Sequence, residues 1–197
     1  MVDVDTSAQL DSNIVLDDGN VHELTIPSGA ETGLKLVQGF DVAVGGSTSL
    51  TIDFDLRKSI VNTGTKYFLR PALRLVDNSE IGHISGNVDV TTLCPVSDTD
   101  YAVYVFAGNG VSPDDTGSID GTGADTGPLT TALLDNSFNY GVGYLNAGDY
   151  TLALTCIAGV DNPEQDDIEF GNNQGDGFVK IVNVTVVSGT TITVDLQ

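Results

Sequence analysis

Residues 50–56 read Leu50-Thr51-Ile52-Asp53-Phe54-Asp55-Leu56, with Leu50, Ile52, Phe54 and Leu56 on one side and Thr51, Asp53 and Asp55 on the other. A side-chain period of two places these sets on opposite faces of a strand, one turned to a core and one to water. The same alternation recurs before this stretch at 13–16, 21–26, 34–37 and 40–44. After it come 67–76, 84–90, 101–106, 129–134, 138–145, 150–157, 178–187 and 190–196. Turn formers separate the runs, among them Asp18-Gly19 and Gly45-Gly46. No window sustains a helical period over three turns, and residues 56–61 offer only a short helical crossover. The pattern predicts an all-β chain. About a dozen short strands exceed the seven of a simple sandwich, so two tandem antiparallel β-sandwich modules are expected, residues 1–81 and 82–197, parted near the polar turn Asp77-Asn78-Ser79-Glu80.

Composition narrows the partners. The chain has 197 residues, with 28 acidic against 7 basic side chains and a formal charge of -21. Phosphate backbones and anionic lipid surfaces repel such a charge, so no nucleic-acid partner is expected. No run of about 18 apolar residues is present, so this chain should not insert directly into a membrane. Residues 1–11 lack the basic start and apolar run of an export signal, and Met1 opens straight into strand-like alternation, so the start is expected to be a truncation.

Cys94 and Cys156 are the only cysteines. With strands alternating simply in direction, Cys94 follows the first strand of the second module and Cys156 ends the fourth, both at one end. That predicts a disulfide, worth about 4 kcal/mol on a chain-entropy estimate and implying an oxidising compartment; the alternative is two buried thiols. Two acidic loops are candidate calcium sites, because hard cations want six to eight oxygens. One carries Asp114, Asp115, Asp120 and Asp125, the other Asp161, Asn162, Glu164, Asp166 and Asp167. The strand alternation places them at opposite ends of the sandwich, as separate sites, and the competing reading is a pair of solvated acidic turns. Arg57, Lys58, Arg70 and Arg74 hold most of the basic charge and form a candidate docking patch, against the plainer reading of ion pairs with neighbouring Asp.

No catalytic residue is assigned and no enzyme is expected. His22 and His83 are the only imidazoles, and neither has a nucleophile in a recognisable context. Two carboxylates suffice for a glycosidase, but with no Trp and scattered Tyr no aromatic platform for sugars is evident. Asn183-Val184-Thr185 matches a glycosylation sequon but reads as plain strand.

Residues 24–77 carry the segments PSG, GLKL, DFDLRKS and LRPALRLVD in order. This stretch resembles the C-terminal half of a domain-of-unknown-function family found in bacterial cell-surface lipoproteins. In that family a substantial part of the β domain precedes this region, so the resemblance implies a first module incomplete at its N-terminus. Residues 84–197, with ISGNVDV, AVYVFAG, FNYGVGYL, DYTLALTC and VNVTVVSGTTITVDL, look like a carboxypeptidase-regulatory or transthyretin-like sandwich. The two resemblances imply a stalk, spacer or binding role at the cell surface of a bacterium and no chemistry.

The expected function is a non-catalytic extracellular structural or adhesive surface protein. It could form a filament by strand complementation with other copies of itself, residues 2–10 or 181–196 being the donated strand, and be stabilised by calcium. Its partner would be another copy or a surface protein. The alternative is a calcium-dependent ligand- or carbohydrate-binding module of a larger secreted protein, using the loop at 112–125.

Overall fold

The computed structural model describes residues 12–16, 18–27, 39–42, 44–94, 100–117, 127–163, 165 and 177–197. The chain is all-β, as its alternation predicts. Two short α-helices are present among the described residues, α1 (Leu56–Ser59) and α2 (Val90–Leu93), each opened by an Asp cap: Asp55 accepts from the Lys58 N–H and Asp89 from the Thr92 N–H. No helix among the described residues is long and apolar enough to cross a membrane.

The chain divides into two compact units. The first comprises Met1–Val44 and Ile52–Leu75, the second Gly45–Thr51 and Val76–Gln197. In the first, β1 (Asn13–Val15), β2 (Val21–Thr25), β5 (Tyr67–Leu69) and β4 (Ile60–Asn62) form one sheet in that order. The β2–β5 pairing is parallel, unlike the purely antiparallel sheets expected. The run at 67–76 proves to be two strands, β5 and β6 (Ala72–Asp77), broken at Arg70-Pro71, where proline has no N–H to give a ladder. β6 pairs instead with β3 (Leu50–Asp55). The strand expected at 40–44 does not form at Phe40, Asp41, Val42 or Val44, and that at 34–37 lies outside the described residues.

The second unit is the better packed. One sheet has the order β12 (Phe178–Val186), β11 (Gly148–Thr155), β8 (Ala102–Ala107), β9 (Thr130–Leu133). The other has β10 (Asn139–Asn146), β7 (Ile81–Asn87), β13 (Thr191–Thr193). Ile84, Val103, Val105, Leu145, Leu152, Leu154, Val186 and Leu196 form the core shared by the two sheets. β7 starts three residues before the run predicted at 84–90 and stops at Asn87, because Val90 already belongs to α2. The turn after Val186 carries the chain from one sheet to the other, so β13 runs parallel to β7.

The disulfide between Cys94 and Cys156 forms, with Cα atoms 5.7 Å apart. Cys94 caps α2 just beyond β7, while Cys156 follows the fifth strand of the unit rather than the fourth. The odd strand number is what returns the chain to the end where β7 finishes. Residues 181–196, one of the two candidate donor strands, are already spent within their own unit: 181–186 pair with β11 and 191–193 with β7. Giving them away would strip Val186 and Leu196 from the core.

Candidate functional site

The expectation of half-buried strands fails most clearly at β8. Residues Ala102, Val103, Tyr104, Val105 and Phe106 are all at most 2 % exposed. Val103 and Val105 face the other sheet, whereas Ala102, Tyr104 and Phe106 join Ala153, Ala158 and Phe178 in a second core on the outer face. Phe178 reaches that face because the β11–β12 register shifts between Leu154 and Thr155, which reverses the alternation. Phe178 meets Tyr104 and Phe106 edge-on, with ring centroids 5.2 and 6.3 Å away.

The chain after β8 helps to cover this face. The Val111 N–H reaches Thr151 Oγ1 at 3.1 Å, and five residues on Thr116 meets Asp161. The phenol of Tyr104, wholly buried, needs an acceptor and finds it in Asp161 Oδ2. Asp161 Oδ1 accepts from the Thr116 hydroxyl and from its N–H at 3.3 Å. Asp115 is fully buried, its Oδ1 accepting from the Gly117 N–H at 3.2 Å, and its own N–H donates to Asp114 Oδ1 at 3.1 Å. Gly117 lies so close to the Gln165 backbone that any Cβ would collide with it, so glycine is required there.

These contacts correct the placement of the two acidic loops. Strand alternation sends the first off one end of the sheet and the second off the other, yet their described residues meet. The reason is the path of the first loop, which doubles back along the outer face of its own sheet from Thr151 towards Asp161. Apolar burial of Tyr104 and Phe106 drives that return, with each buried aromatic worth about 1.5–3 kcal/mol. Among the described residues, no three His, Cys, Asp or Glu side chains are grouped to hold a metal ion. Asp161 instead gives both carboxylate oxygens to hydroxyl donors, as a latch between the loops. Asp120, Asp125, Glu164, Asp166 and Asp167 lie outside the described residues. Tyr104→Phe should therefore lower stability by about 1–2 kcal/mol, the cost of leaving a carboxylate oxygen short of its donor, read by urea denaturation followed by circular dichroism. Val187→Thr, 52 % exposed just beyond β12, should change it by less than about 0.5 kcal/mol.

Arg74 is committed to Asp53: Nε donates to Oδ2 at 3.0 Å and Nη2 completes the ion pair. Arg57, Lys58 and Arg70 also interact with other groups. Within DFDLRKS, Asp55 caps α1, and buried Ser59 donates to the Asp55 carbonyl while accepting from the Ala72 N–H at 2.8 Å. These residues thus tie α1 to β6. His22 packs against Tyr67 and His83 against Tyr144, with centroids 5.1 and 5.7 Å apart. Asn183 Oδ1 accepts from the Gly110 N–H at 2.9 Å and from the Thr151 hydroxyl at 3.0 Å, which makes it part of the sheet.

A family model described as a domain of unknown function (DUF4382) matches residues 3–71, less than half of the chain. The match starts upstream of the segments quoted above and ends inside LRPALRLVD. Among curated proteins, none matches the chain. Similar solved structures include the minor pilin GBS52 of Streptococcus agalactiae, 15 % identical, with a TM-score of 0.29 over 71 % of this chain and 52 % of that one. Another is BcpA, the major pilin subunit of Bacillus cereus, 11 % identical, TM-score 0.30, covering 80 % and 39 %. A third is the Bacillus anthracis TIE protein, 9 % identical, TM-score 0.30, covering 76 % and 23 %. The chain spans about half the length of the minor pilin. At such identities and TM-scores the likeness carries no inference about activity.

Proposed function

We propose that this chain is a non-catalytic structural or adhesive protein of the bacterial cell surface, which associates with further copies of itself. The observation that carries the reading is the buried Cys94–Cys156 disulfide, since such bridges form and persist in oxidising, extracytoplasmic surroundings. Self-association is supported by the sheet edges. Nine-residue β12 ends its sheet with β11 as its one partner among the described strands. In the first unit, Val15 and Val21 face each other across β1 and β2 while 61 % and 56 % exposed. An edge strand and an uncovered apolar pair are features onto which another strand can dock. With residues 181–196 used internally, residues 2–10 are the donated strand in this proposal.

The proposal extends to calcium. Asp114, Asp115, Asp120 and Asp125 stand on one loop, Asp161, Glu164, Asp166 and Asp167 on the other, and the Thr116–Asp161 latch joins the two. A divalent cation near them would relieve part of the self-repulsion of a chain of charge -21. Light scattering and electron microscopy of the same sample, with calcium and with chelator, test both parts. Concentration-dependent association or filaments are expected, and calcium at about 100 times its Kd should add about 2.7 kcal/mol to stability. A monomer at every concentration would end the assembly reading, and unchanged melting with no calcium uptake would end the metal reading. Turnover of a substrate by the purified chain would overturn the non-catalytic role.

A further inference from the structure

Where β3 begins and β6 ends, a half-open cavity of about 370 Å³ is lined by Ser47, Thr48, Ser49, Asp77, Asn78 and Ser79. All six belong to the second unit, and none contributes to the acidic loops. The lining consists of hydroxyls, one amide and one carboxylate, without a basic or large apolar side chain.

Its two most capable groups are held in place. The Asn78 amide is fixed at both ends, Nδ2 donating to Ser49 Oγ at 2.9 Å and Oδ1 accepting from Thr51 Oγ1 at 2.8 Å. The backbone N–H of Asn78 donates to the Ser49 carbonyl at 2.9 Å. These bonds set the amide's orientation and leave one Nδ2 hydrogen over. Asp77 Oδ1 accepts from the N–H and the hydroxyl of Ser79, at 2.9 and 2.7 Å, while Oδ2 has no partner among the described residues. Those Ser79 bonds also hold the Asp77 carboxyl below its ordinary range, so it is ionised at neutral pH.

Each ligand class meets this lining differently. An anion would face Asp77 with no cation to receive it, and an apolar molecule would find no large apolar side chain to pack against. A hard cation wants several carboxylates and would find one. A neutral molecule dense in hydroxyls both donates and accepts at each oxygen, which is what a fixed carboxylate acceptor, a fixed amide donor and the neighbouring serine hydroxyls can match. The volume falls in the lower part of the ~300–1,000 Å³ range of small-molecule sites. We propose that this cavity binds a neutral polyol of monosaccharide size, with Asp77 Oδ2 accepting and Asn78 Nδ2 donating to adjacent ligand hydroxyls. The site depends neither on self-association nor on calcium. Hydroxyl recognition without a stacking aromatic is weak, and a Kd of about 1–10 mM is expected.

The test is amide-resolved NMR titration of the full chain with glucose, galactose, mannose and N-acetylglucosamine in turn, with chelator present. The expected result is saturable shifts at residues 47–49 and 77–79 with at least one sugar, and affinity about tenfold weaker in Asp77→Asn and Asn78→Ala. Ser47→Phe fills the cavity from an exposed position outside any strand, and should abolish binding with melting unchanged. No saturable shift with any of the four, shifts centred elsewhere, or undiminished binding in Ser47→Phe would overturn the proposal.

Discussion

Replacing Cys94 and Cys156 together by alanine is expected to lower the stability of the second unit by about 4 kcal/mol, or about 15 °C in melting temperature. The bridge closes a loop of 62 residues that contains β8, β9, β10 and β11, most of the unit's pairing. Without it the unfolded chain regains the freedom of that whole loop. The native state meanwhile loses two sulfurs packed in the main core, where Cys94 and Cys156 are 6 % and 4 % exposed. Calorimetry with and without reductant checks this: reductant should reproduce the shift in the natural sequence and do nothing to the double variant. A shift below about 1 kcal/mol would mean that α2 and the end of β11 are held together without the bond.

The second large effect is expected at Gly86. A Cβ there would fall on the carbonyl oxygen of Val194, and no rotamer can relieve a clash made by the Cβ itself. Gly86→Val should therefore force residues 191–196 away from β7. That breaks the Val194 N–H bond to the Ser85 carbonyl at 2.8 Å and the bond from the Tyr140 hydroxyl to the Val194 carbonyl at 2.6 Å. It also uncovers Leu196, which is fully buried and bridges to Val88. Exposing such a leucine costs about 2–3 kcal/mol and each lost bond about 1 kcal/mol, so a loss of about 4 kcal/mol is expected. Gly141, which pairs across β10 with Ser85, provides the control: a Cβ there meets nothing within 4 Å, and Gly141→Ala should be close to neutral. Urea denaturation followed by circular dichroism suits both variants, because the chain has no Trp.

The disulfide also bears on function. Disulfides persist where no reducing buffer restores the thiols, and a covalent clasp across 62 residues constrains most of the unit. The described carboxylate of Asp161 is fully occupied in joining elements, and a group so engaged holds structure together.

Residue pattern alone is enough to read that this chain is built of strands, where most of them lie, and that its two distant cysteines come together. Those features are local or follow from parity. A period of two in residues such as Leu50–Asp55 marks the two faces of a strand, and five strands with four reversals between them bring Cys156 back to the end where Cys94 lies. It also held an unread sign: the unbroken apolar run from Ala102 to Phe106 marks a strand buried on both faces. Tertiary contacts alone settle that the chain after β8 folds back over its sheet, so that Tyr104, Thr116 and Asp161 meet and the described residues of the two acidic loops come together. Alternation tells which side of a strand avoids water but not what covers it. That cover comes from segments far apart in the chain, chosen by the total apolar surface they bury and the buried hydroxyls they satisfy.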